Sequence, residues 1–157
     1  MPAPGASPAR PRPARSRSGE AATNVVTEPY PLPLVPCAIL MHRDPTTGLW
    51  LAISRGSDLA DWGFPGGKTE GDEMPPETAI RECREETLVE AFDLEFVYVD
   101  AVPSGRRCYA FASMRVRLPK TLPASREGTV AWRPESDLVA STSSYAAYNR
   151  AAFSAYY

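Results

Sequence analysis

The sequence predicts an α+β fold, a mixed-sheet sandwich, on three observations. Short apolar runs of strand length recur between residues 35 and 134. Two stretches, 75–92 and 143–157, carry helical patterning. Strands and helices do not alternate regularly along the chain. The 157 residues suffice for one domain with a core and not for two. Hydrophobic content of 43% and charged content of 23% are ordinary for a globular domain. No apolar run approaches the roughly 20 residues of a membrane span.

Residues 1–29, rich in Pro, Ala, Arg and Ser, offer almost nothing to bury and are expected to be a disordered, solvated tail. The net charge is −2 overall, +4 over residues 1–18 and therefore −6 over the rest, so a basic tail precedes an acidic body. Early prolines oppose the amphipathic helix of a transit peptide, and the apolar stretch of a secretory signal is lacking. The folded domain is expected over residues 30–157. "VPCAILMH" (35–42) and "LWLAIS" (49–54) read as strands joined by the turn "RDPTTG", a hairpin. Residues 55–76, rich in Gly, Asp and Pro, read as a loop. "PPETAIRECREETLVEAF" (75–92) reads as a helix with prolines in its first turn, where a missing N–H costs nothing. "LEFVYVDAV" (94–102), "CYAFASMRVRL" (108–118) and "GTVAWRP" (128–134) read as strands. In the last helix Tyr145, Tyr148, Ala152 and Tyr156 fall at helical spacing and form a packing stripe.

Cys37, Cys83 and Cys108 are scattered and odd in number, which suggests reduced thiols in a cytoplasmic protein. With His42 the only histidine and no C-x-x-C, a zinc site is not expected, and His42 reads as structural. The run "GGKT" (66–69) is not a nucleotide-triphosphatase phosphate loop, because Trp62 stands where the first glycine of that loop belongs.

On a helical wheel, Ala79, Ile80, Cys83 and Thr87 form the face toward the core, and Glu82, Glu85 and Glu86 share an adjoining arc. Like charges at that spacing repel by a few tenths of a kcal/mol per pair. The clustering makes sense if a hard cation binds there: Mg²⁺, Mn²⁺ or Ca²⁺ suits oxygen-only ligands. A solvated acidic face, partly neutralised by Arg81 and Arg84, is the competing explanation.

Taken whole, the stretch resembles the Nudix box: Gly67, Glu73, then Arg81-Glu82-Cys83-Arg84-Glu85-Glu86-Thr87-Leu88-Val89, matching eight of nine pattern positions with Cys83 as the apolar one. "REGTVAWRPESDL" (126–138) is similar to the family's late segment. The departure is Leu88, where the family has a glycine that ends the helix in a left-handed conformation. Either the helix runs on through "VEAF" or Leu88 is strained.

The resemblance implies a Nudix-type mixed β-sheet between helices (α/β/α) and a Mg²⁺-dependent hydrolase, with Mn²⁺ as the alternative. Its substrate would be a nucleoside diphosphate linked to another group. The implied metal ligands are Glu82, Glu85, Glu86 and the Gly66 carbonyl. Arg81 would orient the carboxylates through a salt bridge with Glu73, and Glu82 or Glu127 would serve as general base. Trp62 either stacks on a base or fills the core, and Arg55 either contacts phosphate or sugar or is solvated. A non-catalytic nucleotide-binding domain is the alternative function. Four tail arginines without aromatics do not make nucleic acid an expected partner, no membrane partner is expected, and a homodimer is left open.

Overall fold

The structure, a computed structural model, describes residues 34–55, 58–124, 128–140 and 145–157, the side chain of Leu59 excepted. The tail assigned to residues 1–29, the expected start of the domain at Tyr30, and Glu127 lie outside the described residues.

Seven strands and three helices occur among the described residues: β1 (Cys37–Met41), β2 (Trp50–Arg55), β3 (Asp58–Gly63), β4 (Gly66–Lys68), α1 (Pro75–Thr87), β5 (Glu90–Ala101), β6 (Arg107–Arg117), β7 (Val130–Arg133), α2 (Glu135–Leu138) and α3 (Ala146–Tyr156). They build a four-stranded sheet in the order β4-β1-β6-β5 and a three-stranded sheet in the order β3-β2-β7. The β1–β6 pair is parallel and every other pair antiparallel, so the first sheet is mixed.

β1 and β2 are apolar at successive positions rather than alternately, the pattern of strands covered on both faces. Side chains of a strand point alternately to its two faces, and the packing follows that alternation. Ala38 and Leu40 of β1, with Leu51 and Ile53 of β2, meet Ala79 and Cys83 of α1. Met41, Trp50 and Ala52, joined by the half-buried Cys37 and Ile39, meet Tyr148, Ala152 and Phe153 of α3. Helices therefore cover both faces, the expected α/β/α sandwich. The stripe on α3 is a packing face: Tyr148 and Ala152 are buried, and Tyr145 and Tyr156 pack against the same cluster. Trp50 lies edge-on to Phe153 and Tyr156, with ring centroids 5.0 and 5.1 Å away.

Four expectations need correction. The turn after β1 forms, with Asp44 accepting bonds from the Thr46 and Thr47 amides and Gly48 at φ 72°. Yet 35–42 and 49–54 make only the start of a hairpin. Arg43 bridges Trp50, and the Leu51 amide donates to His42 O at 2.9 Å, but β1 then pairs with β4 and β6 while β2 joins the other sheet. Second, the loop expected over 55–76 contains β3 and β4. Their sequences, DLADWG and GGK, hold few β-formers, and each is made a strand by its partner, β2 or β1. Third, Ile80 is 38% exposed; the inner face of α1 is Thr78, Ala79, Cys83 and Thr87.

The fourth concerns the end of α1. The helix expected to reach residue 92 stops at Thr87, and Leu88 itself adopts the left-handed conformation, φ 58° and ψ 15°. A non-glycine residue there costs roughly 1–2 kcal/mol. The turn delivers Val89, fully buried, and Ala91 into the core beside Phe111. Burying a valine stabilises by roughly 1.5–3 kcal/mol, which outweighs the strain. Val89 thus leads into β5, which opens with "EAF", instead of prolonging the helix.

His42 is buried, with Nδ1 2.7 Å from Ser113 O, a structural tie between the end of β1 and β6. Among the described residues no helix is long and apolar enough to cross a membrane.

Candidate active site

β4 lies at the edge of its sheet, antiparallel to β1, with Gly66 opposite Ile39 and Gly67 opposite Ala38. A side chain on Gly66 would overlap the Ala38 carbonyl oxygen, and one on Gly67 would overlap the carboxylate of Glu82. The second glycine is what lets an acidic side chain of α1 lie against the β4 backbone.

Arg81, one turn into that face of α1, organises the acids. Its Nε donates to Glu73 Oε1 at 2.7 Å and its Nη2 to Glu73 Oε2 at 3.1 Å, a two-pronged pairing. Nη1 donates to Glu82 at 2.9 Å and to Glu85 at 3.1 Å, and Nη2 also reaches the Lys68 carbonyl at 2.9 Å. One guanidinium therefore joins three carboxylates to the β4 backbone. Glu86, one turn on from Glu82, accepts the Gly66 amide at 2.8 Å. Glu73 further accepts from the Thr78 hydroxyl and the Glu70 amide. Arg81, followed by the Glu70 amide, holds the Glu73 carboxyl down at about 2. The same Glu73 carboxylate pushes the Arg81 guanidinium higher still.

Helix periodicity does put Glu82, Glu85 and Glu86 on one face, but their carboxylates have different partners: Glu82 and Glu85 bind Arg81, and Glu86 binds the Gly66 amide. Among the described residues no three acidic, His or Cys side chains converge into a metal-binding cluster. The donor set still fits a hard dication. All donors are oxygens, Gly67 leaves room for Glu82 against the strand, and three carboxylates, Glu73, Glu82 and Glu85, share one arginine.

On the face of β1 turned toward α3, a cleft of about 230 Å³ opens beside the same glycines. Cys37, Arg55, Arg106 and Tyr145 line it together with Gly66, Gly67 and Lys68. The Arg55 guanidinium lies 4.5 Å from the centre of the Tyr145 ring, and Arg106 donates to the Val35 carbonyl at 2.9 Å. Among the described residues three cations and no carboxylate line this cleft, so it suits an anionic ligand. A larger groove, about 610 Å³, runs along α1 past Ile80, Arg84 and Leu88 and is lined also by Arg81 and Glu85 of the acidic cluster.

Of the residues singled out in the sequence, Gly66, Arg81, Glu82, Glu85 and Glu86 come together at β4, and Arg55 reaches the cleft beside them. Trp62 does not line the cleft; it is 6% exposed in the core, with Arg133 stacked 4.6 Å from its ring. Glu127 lies outside the described residues, although Ala124 and Thr129 on either side of its segment bridge each other, and Thr129 is tied to Ser54. Sequence reasoning missed Arg106, Tyr145 and Cys37 as cleft residues. Their separation along the chain leaves no local spacing to find them by.

A family model described as NUDIX domain matches residues 33–150. Many solved structures share the fold, three among them as follows. The MutT NUDIX hydrolase from Burkholderia pseudomallei is 17% identical, with a TM-score of 0.62 over 77% of this chain and 96% of that one. The MutT protein from Bacillus halodurans is 19% identical, with a TM-score of 0.61 over 76% and 80%. The Ap4A hydrolase from C. elegans is 19% identical, with a TM-score of 0.58 over 76% and 96%. No curated protein sequence matches the chain.

Proposed function

The chain belongs to the NUDIX family of hydrolases, which act on the phosphoric anhydride bonds of nucleoside diphosphate derivatives, and from that premise we propose a Mg²⁺-dependent pyrophosphohydrolase. Its substrate would be a nucleoside diphosphate linked to a further group, such as a nucleoside triphosphate or a nucleoside diphosphate sugar. The observation that carries this reading is the Arg81 hub, which ties Glu73, Glu82 and Glu85 to the backbone of β4 while Glu86 caps the Gly66 amide.

Glu82, Glu85, Glu86 and the Gly66 carbonyl are the residues that would hold the metal. When bound, the dication supplies charge neutralisation at the diphosphate and lowers the pKa of bound water. The chain's own task is positioning. Arg81 fixes the direction of the carboxylates, and Glu73, ionised down to about pH 2, keeps Arg81 in place across the physiological range. Arg55 and Arg106 offer donors to the substrate's anionic oxygens from the far side of β4. Glu82 or Glu127 accepts the proton of the attacking water.

The test is phosphate or pyrophosphate release from a panel of nucleotides with and without Mg²⁺, repeated with Glu86→Gln. Metal-dependent turnover is expected on at least one nucleoside diphosphate derivative, with a loss of about 10²-fold or more in the variant while its circular dichroism is unchanged. Turnover without added dication, or a fully active Glu86→Gln protein, would overturn the proposal.

A further inference from the structure

Two of the scattered cysteines meet in the fold. β1 and β6 run parallel with Cys37 directly opposite Cys108. In-register neighbours on adjacent strands point to the same face, and both cysteines belong to the α3-side cluster. Adjacent strands lie about 4.8 Å apart, inside the roughly 4.4–6.8 Å Cα spacing that a disulfide spans. Both thiols are free. Both line the cleft beside β4, Cys37 half-buried and Cys108 nearly fully buried.

The surroundings make the two sulfurs unequal. Arg55 and Arg106 line the same cleft, the Cys37 thiol faces the Arg107 carbonyl at 3.8 Å, and Tyr148 donates to the Cys108 carbonyl from α3. We propose that Cys37 and Cys108 form a peroxide-sensitive dithiol in the cleft wall, with Cys37 as the attacking sulfur and Cys108 as the resolving one. In support, contact with Cys108, then Arg106 and Arg55, draws the Cys37 thiol below its ordinary range, and the contact with Cys37 together with burial pushes Cys108 up.

The Cys37 thiolate attacks a hydroperoxide oxygen, breaking the O–O bond; the departing alkoxide takes a proton, and Cys37 becomes a sulfenic acid. The Cys108 sulfur, giving up its proton, then displaces hydroxide from Cys37, forming the S–S bond and water. Two thiols lose two electrons in all, and the hydroperoxide becomes an alcohol and water. Cys83 is an internal control, fully buried between α1 and the sheet.

The experiment treats the full chain with limiting hydrogen peroxide, blocks remaining thiols with iodoacetamide, and maps cysteines by mass spectrometry after proteolysis. The expected product is the Cys37 peptide joined to the Cys108 peptide, two hydrogens lighter than the pair and lost on treatment with dithiothreitol. It should form roughly tenfold faster than any product at Cys83. In Cys108→Ser, a dimedone-reactive sulfenic acid should persist at Cys37; in Cys37→Ser, Cys108 should resist oxidation. Oxidation of Cys83 as fast as Cys37 in the unmutated chain, or Cys37 oxidised there without any link to Cys108, would overturn the proposal even if a variant failed to fold.

Discussion

The two sides of the Gly66–Lys68 strand carry opposite charge and are assembled differently. On the α1 side, Glu73, Glu82 and Glu85 pair with Arg81 and Glu86 takes the Gly66 amide, all four acids lying within one helix and the turn before it. On the α3 side, Arg55, Lys68 and Arg106 face the cleft from β2, β4 and the segment before β6, with Tyr145 added from the edge of α3. The acidic side is local and held by several charge-assisted hydrogen bonds. The basic side is built across the whole domain and held by single contacts, a ring under Arg55 and a carbonyl for Arg106. A substrate that places a diphosphate between them would meet a rigid acidic side and an adaptable basic one. The difference can be broken from either side, and the effects should be unequal.

Arg81→Ala should do the most damage. It leaves Glu73, Glu82 and Glu85 without their common partner and frees the Lys68 carbonyl. Displacement of catalytic groups by about 1 Å can cost about 10²-fold, so kcat should fall at least that far with the fold retained by circular dichroism. Arg81→Lys should rescue little, since an ammonium cannot make the two-pronged contact with Glu73. The variant should also change acid stability, with a definite sign. Glu73 ionises near 2 in the folded protein against an ordinary 4.5, a depressed value. Its contribution is therefore present above about 4.5 and lost as pH falls toward about 2. Denaturant titrations across that window should show a shallower loss in Arg81→Ala than in the native chain; equal slopes would remove Arg81 as the cause.

That hub was legible in the sequence because its members lie within 14 residues, Glu73 to Glu86, and one helical period brings them together. The same reasoning placed α1, α3 and the strands with strong apolar runs, and missed the short α2. It failed where structure is non-local. β3 and β4 hold few β-formers and are strands only because β2 and β1 pair with them. The cleft residues Cys37, Arg106 and Tyr145 have no common spacing, and the Cys37–Cys108 pair becomes visible only with the parallel register of β1 and β6. Trp62 was ambiguous for another reason: aromatic character serves a core and a base-stacking surface equally.

The basic side gives a smaller expected effect. Arg55→Ala removes a cation and the stacking on Tyr145 but leaves the acids untouched. If Arg55 contacts ground state and transition state alike, KM should rise about tenfold while kcat stays within about twofold. A fall in kcat with KM unchanged would place Arg55 in the reacting centre and erase the proposed division of labour between the two sides.

The smallest effect lies at the C-terminal end of α1, two residues past Glu86. Leu88 holds a left-handed conformation that glycine adopts without strain, and with 55% exposure its side chain contributes little burial. Leu88→Gly relieves roughly 1–2 kcal/mol of strain but gives the unfolded chain more freedom, which takes back roughly 0.4–1 kcal/mol. The net gain should be about 0.5–1 kcal/mol by denaturant titration. Because the backbone already occupies the glycine conformation, the carboxylates should not move and turnover should be unchanged. A stabilised protein with altered kcat would mean that strain at Leu88 reaches Glu86 along the last turn, and that the acidic side is less rigid than its hydrogen bonds to Arg81 and Gly66 imply.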